Sequence, residues 1–241
     1  MPFKIYSMRV LGLDPSLNSY GWCVYDHFAS TPRRKRVASG HEGTLKEWVP
    51  VIRFMQFRSL VSHLILKYEI DAVGIESPAY GGGPFSERHF GLMLFSLESV
   101  FEARKDCVLF DPKTSKLAAT GKGDADKADI QREVQIDTMN PKLMQNDEAD
   151  AYCIARSAAK FLLLVKGELS PEDLSPSERR VFLERTKKRK VLGKNVSTKK
   201  VAHVFRENSR YFLFSKIPYG NVNLPEKSMI NQELIDWLEN Q

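Results

Sequence analysis

Four carboxylates occupy positions that demand a chemical reason. Asp14 closes the apolar run Val10, Leu11 and Leu13 around Gly12 in "RVLGLDPS", and Glu76 closes "DAVGIES" in the same way. Asp147 and Asp150 lie three apart in "NDEADAYCIA", so on a helix they share one face. Simpler readings cover part of this set. Asp-Pro-Ser is ordinary turn chemistry, and Asp147 and Glu148 suit a first helical turn, where the macrodipole favours negative charge. Neither accounts for Asp150, which alanines flank in an apolar helical pattern. Carboxylates gathered without compensation raise each other's pKa values, and divalent cations supply that compensation. Two Mg²⁺ about 4 Å apart on hard oxygen ligands activate a water and stabilise the leaving oxygen in phosphodiester hydrolysis. The expected metal ligands are therefore Asp14, Glu76, Asp147 and Asp150, with Mg²⁺ as cofactor and Mn²⁺ able to take its place.

The surrounding pattern predicts elements that bring these residues together. "MRVLGLD", Tyr20 to Asp26 and "VASGHEGTL" read as an antiparallel meander with a basic tip at "STPRRKR". Helical spacing of Ile52, Met55, Leu60, Leu64 and Leu66 predicts a helix over Val51 to Tyr68. A strand over Asp71 to Ser77 follows, then a glycine loop, a helix from about Ser86 to Arg104, a fifth strand at "CVLFDP", and a long final helix from "NDEADAYCIA" onward. A meander followed by strand–helix–strand is an α/β pattern with a mixed sheet, whose strand ends form the edge where ligands collect. "GGGP" has neither the dinucleotide nor the P-loop spacing.

Composition narrows the class. The chain has 241 residues, 42% of them hydrophobic, enough for one substantial domain with an appendage. No stretch is long and apolar enough to span a membrane, and "MPFKIYS" lacks a secretory h-region. Three widely spaced cysteines suit a reducing cytoplasm better than a disulfide frame or a zinc site. The net charge is +6, yet Lys166 to Lys216 alone carries 14 Lys/Arg against 6 Asp/Glu, so the basic excess is local. That segment starts at a Ser/Pro/Ser helix signal and is expected to be a basic, mainly helical extension over residues 166–241, either helix-turn-helix-like or a hairpin packed on the core. The "KKRK" cluster, Lys187, Lys188, Arg189 and Lys190, is its expected DNA contact. A chain ending near Lys166 is expected to keep weak nuclease activity.

Taken in order, these motifs resemble the RuvC family of Holliday-junction resolvases, within the RNase H-like superfamily, over roughly residues 8–165. "GLDPSLNSYGW" and "VGIESPAY" resemble the family's first two motifs, and "NDEADAYCIA" its final helix motif. "DPKTSKLAATGKGDADKADIQREV" resembles its basic segment, in which Lys116 and Lys127 match active-site lysines. A cation beside the scissile phosphate offsets charge that builds in the transition state. Lys122 of the same segment is a further DNA-contact candidate. In "PAYGGGPF", Tyr80 or Phe85 is the candidate for the family's junction-centre aromatic, which would stack on an unpaired base. The extension is compatible with a phage-type member.

The resemblance implies an RNase H-like fold, a mixed five-stranded sheet flanked by helices. It implies a homodimer that nicks branched DNA, a four-way junction, symmetrically by metal-activated water, leaving 5′-phosphate and 3′-hydroxyl ends. Flaps, replication forks or RNA–DNA hybrids are the alternative substrates, and a non-catalytic branched-DNA-binding protein is the rival class. The helix from Ser86 to Arg104 is expected to supply part of the dimer interface through Phe90, Leu94, Leu97 and Phe101.

Overall fold

The computed structural model describes residues 8–16, 18–44, 48–78, 84–142, 144–183, 189–191, 194–196, 201–206 and 209–214. The chain opens with β1 (Arg9–Asp14), β2 (Tyr20–Asp26) and β3 (Arg36–Glu42), with a 3-10 turn at Pro32–Arg34 between the last two. Next come α1 (Pro50–Lys67), β4 (Ala72–Glu76), α2 (Pro84–Glu102) and β5 (Asp106–Phe110). Two helices, α3 (Pro112–Thr120) and α4 (Lys127–Thr138), lead to the long α5 (Asn146–Val165). Beyond it lie α6 (Pro176–Phe182), β6 (Arg189–Val191), β7 (Lys194–Val196), β8 (Val201–Arg206) and β9 (Ser209–Phe214). The main sheet has the order β3-β2-β1-β4-β5-β9-β8, and β6 pairs with β7 in a separate ribbon. β1, β4, β5 and β9 run parallel, while the outer pairs are antiparallel.

The pleat sorts side chains into two cores, because successive residues of a strand point to opposite faces. Val10, Ala72, Val108 and Phe212 pack beneath α3, α4, α5 and α6. Leu11, Val73, Cys107 and Tyr211 pack against α1 and α2. Burial on both faces explains why these strands read as continuous apolar runs.

Two expectations change. Among the described residues the main sheet has seven strands rather than five, and the described residues after Lys166 are not mainly helical, since β6 to β9 follow the short α6. The reason is visible in "SRYFLF": Tyr211 is buried against Phe101 on one face, with ring centroids 4.6 Å apart, and Phe212 against Phe161 on the other, at 5.0 Å. Adjacent aromatics pointing into opposite cores require an extended backbone. Arg210 seals the junction with β5, its backbone N–H donating to Asp106 Oδ1 at 3.0 Å and its guanidinium pairing with the same carboxylate. On α1 the buried apolar residues are Phe57, Val61, Leu64 and Ile65, whereas Ile52, Met55 and Leu66 are exposed. The helix carries two overlapping apolar stripes, and the sheet covers the other one.

α5 lies unusually close to the sheet. A Cβ on Gly12 would sit 1.9 Å from the carbonyl oxygen of Ala151, and one on Gly21 would sit 2.2 Å from that of Asp147. On Gly74 it would meet the Ala158 methyl at 2.9 Å. Strand glycines beneath helix alanines let the two backbones touch.

Leu174, Val181, Phe182 and Phe212 belong to the same core as α5. Burying each large apolar side chain contributes about 1.5–3 kcal/mol, against a total stability of about 5–15 kcal/mol for a domain. A chain ending at Lys166 is therefore expected to lose its cooperative thermal transition and its near-UV circular dichroism. A sharp transition in that truncated chain would show that the first 166 residues fold alone.

Candidate active site

β1 and β4 pair in parallel with Gly12 opposite Gly74 and Leu13 opposite Ile75, so Asp14 and Glu76 close adjacent strands at one edge. Each lies two residues beyond the glycine under α5 and, by the pleat, on the same face as that helix. α5 delivers Asp147 and Asp150 from its first turns. Glu148 turns aside instead: Ser39 Oγ donates to it at 2.6 Å and His41 Nδ1 lies 3.0 Å from its other oxygen.

The four carboxylates act on one another. Burial pushes Asp14 well above the usual carboxylate range, and the charges of Glu76, Asp150 and Asp147 push it further. Glu76 is raised to about 7, by burial first and then by Asp150, against the opposing effects of Ser115 and Lys116. Asp150 is raised by burial, with Asp147 adding to the shift and Lys116 and Lys127 opposing it. Among the described residues, none of the four forms an ion pair with Lys or Arg. Among those residues also, no three His, Cys, Asp or Glu side chains already converge on a single ion position. The mutual effects act over a longer range than the ~2.1 Å of a Mg–O contact. The donor set nonetheless fits hard divalent cations, being all carboxylate oxygen, largely withdrawn from water and, among the described residues, without a Lys or Arg ion pair.

Both lysines singled out by sequence stand beside this group. Lys116 on α3 lowers the pKa values of Asp14, Glu76 and Asp150, and its ammonium donates to the Ala125 carbonyl at 3.2 Å. Lys127 is the first residue of α4, behind the Asp126 cap. Lys122 is exposed and paired with Asp129 at 3.3 Å. Tyr80, Lys187 and Lys188 lie outside the described residues. Phe85 is the second residue of α2, and Arg189 and Lys190 form part of β6, each placed by its backbone alone.

Sequence reasoning missed Ser115, whose hydroxyl donates to Glu76 Oε2 at 3.1 Å, and the helix that carries it. The signal was present in "DPKTSK". Asp111 accepts from the backbone N–H groups of Lys113 and Thr114, at 3.0 and 3.1 Å, with Pro112 in the first turn. An Asp cap before a proline is a helix start.

No protein-family model matches the chain. Among curated proteins it is similar to the crossover junction endodeoxyribonuclease RuvC of Rickettsia conorii, 30% identical over 150 residues, or 61% of this chain and 94% of that one. The chain belongs to the RuvC family. RuvC of Rickettsia massiliae is likewise 30% identical over 150 residues. The fold agrees with that of Thermus thermophilus RuvC, at a TM-score of 0.54 and 19% identity over 66% of this chain and 97% of that one. The T. thermophilus RuvC in complex with Holliday junction substrate gives a TM-score of 0.56 at 21% identity over 66% of this chain and 96% of that one. These RuvC proteins are matched almost end to end, so much of the present chain exceeds them in length.

The raised carboxylates set a pH dependence with a definite sign. Metal-free, the folded protein holds protons on Glu76 and Asp14 that the unfolded chain has already released, so stability falls as pH rises from about 4.5 toward 7. A bound divalent cation favours the ionised form, so its stabilising effect grows over the same window. The melting temperature without metal is expected to drop between about pH 5 and about pH 8, and added Mg²⁺ should raise it chiefly at the upper end. Glu76→Gln should flatten both responses, and an unchanged metal response in that variant would remove Glu76 from the ligand set.

Proposed function

We propose that this protein is a divalent-metal-dependent endonuclease that resolves four-way DNA junctions by paired nicking. The reading rests chiefly on four unneutralised carboxylates, from two parallel strand ends and one helix, in a chain that belongs to the RuvC family. The RuvC relatives are named crossover junction endodeoxyribonucleases, and one fold neighbour was solved with a Holliday junction substrate. Members of this family depend on a divalent metal. Asp14, Glu76, Asp147 and Asp150 would hold Mg²⁺, with Mn²⁺ as a substitute, because small hard cations favour carboxylate oxygens. When bound, such ions supply a nucleophilic water and stabilise the leaving oxygen of the phosphodiester.

The chain's own residues divide the remaining work. Ser115 orients Glu76 by its hydrogen bond to one carboxylate oxygen. Lys116 and Lys127 place positive charge where the phosphate gains negative charge. Tyr80 or Phe85, in or next to the glycine loop after Glu76, is assigned to stack on an unpaired base at the branch point. The three cysteines are free and buried, as suits a protein of the reducing cytoplasm.

Paired nicking of a nearly two-fold symmetric substrate calls for two sites on one particle. On α1, Val51 (50% exposed), Ile52 (46%) and Met55 (52%) lie open, and on the neighbouring α2 so do Phe90 (45%) and Leu94 (47%). Such a patch suits a second copy of the chain. Leu97 is buried within the protomer and Phe101 packs on Tyr211, which leaves Phe90 and Leu94 as the α2 contribution. Sedimentation is expected to give a homodimer that Leu94→Glu converts to monomer, and a monomeric wild type on junction DNA would exclude paired nicking by this surface.

Asp14→Asn and Glu76→Gln are expected to lower junction cleavage by more than about a hundredfold, beyond the effect typical of residues that merely support a ligand, with gel-shift binding retained. Parallel incubations with a flap, an RNA–DNA hybrid and plain duplex decide the substrate class. Faster cutting of any of these than of the junction would replace the resolvase assignment.

A further inference from the structure

The surface around α4 carries cations that the folded chain leaves without an acidic partner. α4 starts beside the carboxylates, since Lys127 acts on Asp150. It ends against the Pro32–Arg34 turn, where Arg33 Nε donates to the Met139 carbonyl at 3.4 Å. Its acidic residues are neutralised from within. Glu133 pairs with Arg156 at 2.9 Å, Asp137 with Lys35 at 2.9 Å, and Asp129 with Lys122 at 3.3 Å. Arg33, Arg34, Arg132 and Lys142 are exposed, and among the described residues none forms an ion pair with a carboxylate. Arg34 makes a 3.4 Å contact with Ser30 Oγ instead. Arg132 thus stands on the exposed side of α4, beside the open Ile136, while Arg33, Arg34 and Lys142 gather around its far end, so the unpaired cations lead away from the site.

We infer that Arg33, Arg34, Arg132 and Lys142 form a track for one duplex arm of the substrate, holding its phosphates on the side remote from the cut. The inference rests on the proposed function for the identity of the substrate. The dimensions agree with it: α4 has 12 residues, about 18 Å of helix, and at 3.4 Å per base pair this matches about five base pairs of an arm leaving the site. The contacts are to phosphate, so they add affinity and orientation without sequence preference.

The test is binding across a salt series for the full chain and for Arg33→Gln/Arg34→Gln/Arg132→Gln/Lys142→Gln, on junctions with arms of about ten and about three base pairs. On long arms the slope of log affinity against log salt should become shallower by roughly 0.9 for each phosphate that the variant no longer reaches. On the trimmed junction the two proteins should agree. Because Arg33 also holds Met139, the double variant Arg132→Gln/Lys142→Gln serves as the second probe, with about half the effect and an unchanged melting temperature. Equal slopes on long arms overturn the track, and so does an equal reduction on both substrates, which would place these residues at the branch point. In either case Mg²⁺-dependent cutting of the junction by the intact chain leaves the proposed function standing. If the intact chain cuts no junction but its slope on plain duplex still exceeds that of the variants, the function reading fails and the track remains. Binding to RNA or protein with no measurable duplex binding overturns the track as well.

Discussion

The contact of α5 with the glycines of β1, β2 and β4 governs the placement of everything that does chemistry. A helix normally rests on a sheet through side chains, which leaves it free to slide by an ångström or so as they repack. Here the carbonyls of Ala151 and Asp147 lie where any Cβ on Gly12 or Gly21 would have to be, so the helix has one seat. Asp14 and Glu76 end their strands just past that seat, and α5 brings Asp147 and Asp150 to the same edge of the sheet. Rate depends steeply on such positions, a misplacement of about 1 Å costing about a hundredfold. The glycines therefore belong to the site although they carry no functional group.

The molecule gathers two groups of acids and treats them in opposite ways. Glu133 and Asp137 are tied to Arg156, whose side chain is only 6% exposed and whose guanidinium also donates to the Ala119 carbonyl at 2.9 Å. Burial alone would push Asp137 up, but Arg156, Tyr152 and Lys35 hold it below the ordinary carboxylate range. That ion-pair network fastens α4 to α5. At the strand ends, the carboxyls are also withdrawn from water but receive only a hydroxyl and two neighbouring lysines. A cluster left short of positive charge lowers the stability of the metal-free protein and gains affinity for cations in return.

Legibility varied with the kind of signal. The five strands through Phe110 and the four carboxylates could be read because packing alone seldom puts an acid at the end of an apolar run. α3 and α4 were passed over because "KTSKLAATGKGDADKADIQREV" has little apolar periodicity, and its helices rest on caps at Asp111 and Asp126. The helix α1 was legible from its spacing, but two apolar stripes overlap in it and only packing chooses the one that is buried. In the extension, charge drew attention to a helical spacing that Val201, Val204 and Phe205 partly satisfy. The decisive feature, adjacent aromatics serving opposite cores, concerns a sheet neighbour about a hundred residues away. No local reading contains that partner.

That separation has a consequence for how the protein is made. β9 is the strand that covers β5, and Arg210 and Asp106, which join them, are 104 residues apart. Such non-local parallel pairing forms slowly, because the intervening loop must close before any contact rewards it. On a ribosome adding about 5–20 residues per second, all four carboxylates emerge well before the strand that completes the sheet. A nascent chain therefore carries all four carboxylates on a scaffold still lacking its outer strands, and the sheet edge they share is complete only once synthesis has passed Phe214.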